Sequence, residues 1–545
     1  MTNKEIAASF DLLARVMELH NENPFKIKSY QNAYLTLRKL DKPLSSYSMD
    51  QLMEIKGIGE AIAEKILSLV QTGSMPTLEK YLAKTPAGVV EMLKINGLGP
   101  KKVAILWKEH EMTSPGELLY ACNENRLVEW KGFGAKTQDA IIQAIGFLQS
   151  NEGKYLHSTV HHHAQQIIKL VYDLNSKSKT SITGKLRRGY PIVDKLELIS
   201  TATPEDIASL ENEDSLIWKS HDPHLFRGVW MDFLPVEVSI SSPDEFDKKL
   251  FQSTGPDHFL SHFSTDQEDI WSSMNMFNHT DKPYISPELR DIKGIEQWTA
   301  VQMSDLIVVD NIKGIIHSHS TYSDGIHTLK DMGAQAQKYG YEYLVITDHS
   351  KAAAYAKGMS EEKVRAQWKE IDVLNASLKK FKIIKGIECD ILSNGDLDYD
   401  DDLLSGFEVV IASIHSAFHM DIDKATGRII KAIENPHTNI LGHPSGRLIL
   451  SREGYPLNYT KIIDACAANQ VAMELNANPQ RLDIDQQYIH ECMDKGVLIS
   501  INPDAHNQTA IQDIKYGVMQ ARRGMLKSMC CLNTKSVDEL LEFCK

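Results

Sequence analysis

The chain has 545 residues, 42% hydrophobic and 24% charged, which is the composition of a folded protein of two to four domains. No apolar stretch approaches the ~20 residues of a membrane span, no signal-like N-terminus is present and the seven cysteines include no CxxC pair, so a cytoplasmic, reduced location is expected. The net charge of −14 excludes a uniformly basic binder of nucleic acid, but it is unevenly spread: residues 1–150 carry 18 Lys and Arg against 17 Asp and Glu, and the remainder carries 41 against 56.

Residues 1–150 read as wholly helical and repeat one short pattern three times. The copies are Ile55-Lys56-Gly57-Ile58-Gly59, Ile95-Asn96-Gly97-Leu98-Gly99 and Trp130-Lys131-Gly132-Phe133-Gly134, each leading into a helix. This is the helix-hairpin-helix pattern. Its glycines let the backbone turn tightly and bring amide N–H groups close to a phosphate, and the next helix N-terminus adds partial positive charge. Gly57, Gly59, Gly97, Gly99, Gly132 and Gly134, with Lys101, Lys102 and Lys136 as counter-charge, are expected to hold a DNA backbone without reading its sequence.

A polar break at 149–154 ends this region. His161-His162-His163 reads as a solvated helix turn, because successive helical side chains point about 100° apart and cannot all reach one ion. Residues 160–295 mix helices and strands, with apolar stretches at 195–199 and 229–240 and a loop-rich segment at 253–272.

From about residue 310 the pattern changes. Short apolar runs at 314–316, 344–347, 383–387, 409–414, 439–442 and 498–501 read as strands buried on both faces. With helices between them they make βα units around a parallel barrel, whose strand ends converge on one face. At or just past these runs stand His317, His319, Asp324, His349, Glu388, His415, His443, Asp504 and His506. Six imidazoles and three carboxylates gathered there would make a multi-metal centre, and the mixture suits Mn²⁺, Zn²⁺ or Fe²⁺ better than Mg²⁺ alone. Glu388 or Asp504 would bridge ions. Arg447, just past His443, is a candidate clamp for a phosphate. Cys389 follows Glu388 and on a strand would face the other way.

In these residues the chain resembles the bacterial family X DNA polymerases that carry a C-terminal polymerase-and-histidinol-phosphatase (PHP) domain. The matching motifs are His317-Ser-His319 with Ser323-Asp324-Gly325, Thr347-Asp348-His349-Ser350, Gly386-Ile387-Glu388-Cys389-Asp390, Ser413-Ile414-His415-Ser416, Gly442-His443-Pro444-Ser445-Gly446-Arg447 and Asn502-Pro503-Asp504-Ala505-His506. The resemblance implies an all-α helix-hairpin-helix domain over 1–150, an α+β nucleotidyltransferase-like palm and thumb over 155–295, and a distorted (βα)7 PHP barrel over 310–545. It also implies about three ions per site, Mn²⁺ foremost, and DNA as partner in gapped, nicked or 3′-end form. A monomer is expected.

The middle region departs from the family where nucleotidyl transfer would occur. Lys185 stands in Gly184-Lys185-Leu186-Arg187-Arg188 where the family has Ser, and Lys195 and Glu197 stand where it has two Asp one residue apart. Glu237 aligns with the third Asp. A lysine puts a cation where a dication belongs, at roughly 4 kcal/mol of repulsion per charge pair near a surface. Asp194 would face the wrong side of the strand. Polymerase activity is therefore expected to be lost. Lys65 matches the Schiff-base lysine of the eukaryotic repair relatives, but Glu60 and Glu64 are expected to raise its pKa, so it reads as an exposed helix lysine. The function implied is a DNA-bound, metal-dependent 3′–5′ exonuclease in repair. The alternatives are a gap-filling polymerase with a nuclease barrel, a small-molecule phosphatase, and a non-catalytic scaffold.

Overall fold

The computed structural model describes residues 3–545 except 39, 41, 96, 151–152, 213–214 and 264–282. Contacts divide the chain into one unit of residues 1–123 and 127–148 and a second of 124–126 and 149–545.

The first unit is helical throughout its described residues. Helix Asn3–Leu19 buries Ile6, Phe10, Leu13 and Met17 at helical spacing against Tyr30, Leu37, Ile62 and Ile66. A second cluster gathers Val103, Leu106, Leu118 and Trp130. The three hairpin turns share one conformation: Gly57, Gly97 and Gly132 have φ of +92°, +86° and +93°. A Cβ at these positions would meet nothing within 4 Å, so the left-handed backbone and not space requires glycine. Gly59 and Gly99 then cap helices Glu60–Thr72 and Pro100–Lys108, and Gly134 precedes Ala135–Ser150. Asn96 of the second copy lies outside the described residues.

In the second unit, helix His157–Leu174 is followed by a five-stranded sheet. Its strands are Thr180–Ile182 (β1), Leu196–Ser200 (β2), Leu216–Asp222 (β3), Leu225–Trp230 (β4) and Leu234–Ile240 (β5), in the order β1-β2-β5-β4-β3. β2 and β5 run parallel with Glu197 opposite Glu237. The apolar stretch 229–240 is two strands rather than one, because Met231 and Asp232 turn the chain at φ of 52° and 62°. His163 is not fully solvated: its ring packs against Phe233 and its Nδ1 accepts from Trp230 Nε1 at 3.1 Å. Of the expected loop segment, helices Phe246–Thr254 and Asp257–Leu260 take the first part, and 264–272 lies outside the described residues.

Seven parallel strands form the barrel: Gly314–Ile315 (β6), Tyr343–Ile346 (β7), Lys382–Asp390 (β8), Val409–Ser413 (β9), Ile440–Leu441 (β10), Ala472–Asn476 (β11) and Ile499–Asn502 (β12). Each neighbour pair is parallel. The sheet nearly closes beyond its strand ends, where Ser318 bridges Ala505 and the His319 N–H donates to the Ala505 carbonyl at 2.9 Å. β11 answers to none of the six apolar runs read from the sequence. β8 extends three residues past its run, so Glu388 lies within a strand, paired with Ile411.

The middle sheet and the barrel fall in one unit because helix Ile514–Arg523 serves both. Its Gln520 donates to the Gly189 carbonyl at 2.7 Å, and Arg523 donates to the Arg188 carbonyl at 2.7 Å and pairs with Asp291 at 3.2 Å. Arg522 binds Glu288 and Ser286 of the segment leading into the barrel.

The turns and the helices use glycine differently, and substitution separates the two uses. Gly132→Ala forces a left-handed alanine and is expected to lower the stability of the helical unit by about 1–2 kcal/mol. Gly146→Ala, inside helix Ala135–Ser150 with open space around its Cβ position, is expected to raise stability by about 1 kcal/mol. Thermal melting of the two variants checks the opposite signs.

Candidate metal centre

The nine residues singled out in the barrel are brought together at the C-terminal ends of its strands. All are buried except His415, which is half-buried. Three of them, His317, His443 and Asp504, have positive φ of 70°, 21° and 53°. Left-handed backbone is unfavourable for residues with a Cβ and persists only where the surroundings enforce it. Here it turns the chain sharply past β6, β10 and β12.

The side chains meet in three interlocking groups whose ligand atoms lie within 4.8 Å of one another, and a fourth such group joins Glu124 to Asp504 and His506. The first holds His317, His319, Glu388 and Asp504: His317 Nε2 is 3.3 Å from Glu388 Oε2, and His319 Nε2 is 3.0 Å from Asp504 Oδ1. The second holds His319, Asp324, His349 and His506, with Asp324 Oδ1 3.2 Å from His506 Nε2 and 3.6 Å from His349 Nε2. The third holds His349, Glu388 and His415, with Glu388 Oε1 3.0 Å from His415 Nε2. His443 Nε2 joins this last group at 2.9 Å from Glu388 Oε1.

Many of these approaches are not hydrogen bonds. His349 Nδ1 lies 2.9 Å from Glu388 Oε2, yet both atoms are buried without a hydrogen-bond partner. His317 Nε2, His319 Nδ1, His349 Nε2, His443 Nδ1 and His506 Nε2 are in the same state. Convergent, desolvated nitrogen and oxygen atoms without donors between them are a costly arrangement for a protein alone. They fit divalent cations held by imidazole and carboxylate.

The electrostatics agree. Burial opposes the charge of Glu388, but His415, His317 and His349 outweigh it and hold the carboxyl well below its usual range. Asp504 and Asp324 are lowered in the same way, chiefly by His317 and by His506 respectively. Burial likewise opposes protonation of His415, yet Glu388 and Asp390 raise it to about 9. His319 is lowered to about 3 by burial and by its neighbours His506 and His349.

Residues outside the nine orient them. Glu474 on β11 takes His317 Nδ1 at 2.6 Å through Oε1, accepts the His443 N–H through Oε2, and accepts from Asn502 at 2.8 Å. Asp390 stands 3.2 Å from His415 Nδ1. Asp348 accepts from Ser320 N, Ser320 Oγ, Ser323 Oγ and Gln367, which fixes the loop that carries Asp324. Arg481 is buried with Nε 3.7 Å from Asp504 Oδ2. Arg447 is committed elsewhere, to Asp485 at 2.7 Å and to the carbonyls of Arg481 and Leu482.

In the middle sheet, Lys195 Nζ lies 2.7 Å from Glu237 Oε2 and 3.1 Å from Glu197 Oε1, while Arg227 reaches Glu237 Oε1 at 3.2 Å. Lys185 pairs with Asp194 at 3.1 Å. Burial opposes the charge on Lys195, but Glu237 and Glu197 outweigh it and raise its pKa. In the helical unit, Lys101, Lys102 and Lys136 stand in the first turns after Gly99 and Gly134. The expectation for Lys65 is corrected: its pKa is lowered, because burial outweighs Glu64 and Lys26 acts with it. Its Nζ lies 5.9 Å from the Tyr30 ring centroid.

Glu474→Gln keeps an acceptor for His317 but removes the charge. It is expected to weaken metal binding by about 10–100-fold while leaving the fold intact. Because His415 carries its proton up to about pH 9 without metal, cation binding must expel protons and tighten as pH rises from 6.5 toward that value. Calorimetric titration of Mn²⁺ in buffers of different ionisation enthalpy reads both effects, and pH-independent affinity would contradict this account.

Residues 1–75 match the helix-hairpin-helix domain family, 89–146 the SAM-like helix-hairpin-helix tandem, and 316–478 the PHP domain. The chain is 34% identical to the DNA polymerase/3′-5′ exonuclease PolX of Bacillus subtilis (strain 168), over the full length of both. It is 25% identical to a "Probable phosphatase" of Thermoanaerobacter sp. (strain X514), which covers 44% of this chain and 95% of that one. It is 28% identical to the "Probable phosphatase YcdX" of Escherichia coli O81 (strain ED1a) over 30% of this chain and 62% of that protein. With helix-hairpin-helix repeats, a mixed middle sheet and a metal-binding barrel in this order, the chain belongs to the bacterial family X DNA polymerases that carry a C-terminal PHP domain.

Proposed function

We propose that the protein is a DNA-binding, metal-dependent phosphoesterase that shortens DNA from the 3′ end in repair, and that its middle sheet does not catalyse nucleotidyl transfer. The observation that carries the first part is the set of three interlocking ligand groups at the barrel's strand ends. Three groups sharing His319, His349 and Glu388 suit about three ions, with Mn²⁺ favoured and Zn²⁺ or Fe²⁺ the alternatives. Bound there, such ions supply an activated water and stabilise charge on the phosphoryl group.

The residues of the chain do the rest. Glu388 sets Oε2 toward His317 and Oε1 toward His415, so its two oxygens would serve both ligand groups. Glu474 and Asp390 hold the rings of His317 and His415 in the tautomer that leaves Nε2 free to ligate. Arg481 lies beside Asp504, where a guanidinium would steady a phosphate, whereas Arg447 lies against Asp485. The glycine turns with Lys101, Lys102 and Lys136 would hold the sugar-phosphate backbone, a contact that weakens with salt. A small-molecule phosphatase would have no use for this helical unit.

The loss of polymerase activity is supported by the Lys195 ammonium, which lies between the two carboxylates that would hold Mg²⁺. A second reading, a gap-filling polymerase with a nuclease barrel, is favoured by the name of the Bacillus subtilis relative and by Glu197 and Glu237 standing side by side on parallel strands.

A 5′-labelled primer, alone and annealed to a gapped template, separates these readings when incubated with Mn²⁺ with and without dNTPs. The wild type is expected to give a shrinking ladder and no extension, and His349→Ala and Asp504→Ala to lose the ladder. Extension by the two barrel variants would overturn the reading of Lys195. A full ladder in both variants would remove the barrel as the nuclease.

A further inference from the structure

Two of the clustered histidines are held by a carboxylate on the nitrogen that faces away from the ligand group: His317 by Glu474 and His415 by Asp390. A third histidine, His506, also has a carboxylate set against its Nδ1, and that carboxylate comes from far outside the barrel sequence. The turn Glu124–Arg126 groups with the second unit rather than with the helical residues on either side of it. Asn125 sits at φ 57°, a left-handed conformation that asparagine tolerates, and it separates two buried charged side chains. Glu124, 3% exposed, sets Oε2 against His506 Nδ1, while Asn478 reaches its Oε1 at 3.5 Å. Glu124 Oε2 makes no hydrogen bond with proper geometry, and His506 Nδ1 also lies 3.0 Å from the Asp504 carbonyl. Arg126 places Nε 2.8 Å from Asp324 Oδ2, with its guanidinium 4.7 Å from the Tyr355 ring centroid.

These contacts leave one atom of each barrel residue for the ligand group. His506 keeps Nε2, and Asp324 keeps Oδ1, 3.2 Å away. We propose that Glu124 and Arg126 are positioning residues of the metal centre, which fix His506 and Asp324 as ligands in the group completed by His319 and His349. The inference rests on the metal-dependent reading above and goes beyond it: one ion position would depend on two residues that precede the barrel by almost two hundred. A carboxylate on the far nitrogen of a ligating histidine fixes its tautomer and raises its basicity. An arginine on one oxygen of Asp324 stops the carboxylate from rotating away and balances its buried charge.

The test uses full-length protein with Glu124→Gln, Glu124→Ala and Arg126→Ala, titrated with Co²⁺ and followed by visible absorption, with Glu474→Gln as reference. Hydrolysis of bis-p-nitrophenyl phosphate, which needs no DNA contact, is read beside it. Glu124→Ala and Arg126→Ala are expected to bind one class of ion about 10–100-fold more weakly with the remainder unchanged, and to regain hydrolysis at saturating metal. Glu124→Gln, which keeps an acceptor, falls between Glu124→Ala and wild type. If Glu124→Ala melts early, the near-isosteric Glu124→Gln carries the test. Unchanged stoichiometry, affinity and Co²⁺ spectrum in the Glu124 variants would overturn the proposal. Because metal uptake is read without DNA, failure of the exonuclease reading would leave this result standing on its own.

Discussion

Buried carboxylates and imidazoles are tolerable only when each is charge-balanced or ligated, and the barrel is organised around that constraint. Glu388 is its centre. It is 1% exposed, it meets His317, His349, His415 and His443, and one of its oxygens finds no hydrogen-bond donor. An isolated charge in this position would cost several kcal/mol. The surrounding histidines lower that cost only partly, since an imidazole cannot both donate to a carboxylate and offer a lone pair from the same nitrogen. Divalent cations would resolve the conflict.

The strand ends and the outer carboxylates solve the geometric half of the problem. The parallel sheet delivers side chains from seven strands to one face, and the positive-φ residues His317, His443 and Asp504 turn sharply there. Glu474, Asp390 and Asp348 then restrict how rings and loops can rotate. The middle sheet shows the opposite solution to the same electrostatic demand. There the charges of Glu197 and Glu237 are met by Lys195, a cation the chain carries itself.

What could be read from the sequence follows from where each signal lies. The convergence of the nine barrel residues was legible because six of the strands are continuous apolar runs and these histidines and carboxylates follow them closely in sequence. Strand Ala472–Asn476 escaped because its run is broken by Glu474, the residue that makes it important, and Glu474 carries no ligand motif. Glu124 and Arg126 gave no local signal at all, since their partners are hundreds of positions away; Arg126 and Asp324 are separated by 198 residues. The three glycine turns were legible because a left-handed backbone selects glycine directly. The sign of the Lys65 shift was not, because burial outweighs sequence-adjacent Glu64 and burial is a property of the fold. Arg447 was read from its place beside His443, whereas its hydrogen bonds to Asp485 and two carbonyls depend on a loop that comes later in the chain.

The central claim is that cations occupy the barrel and that Lys195 takes their place in the middle sheet. Anomalous diffraction from crystals of the full-length protein grown with Mn²⁺ tests it most directly. Mn²⁺ peaks are expected within the three barrel groups and none between Glu197 and Glu237. Peaks at the two glutamates, or an empty barrel, would contradict it.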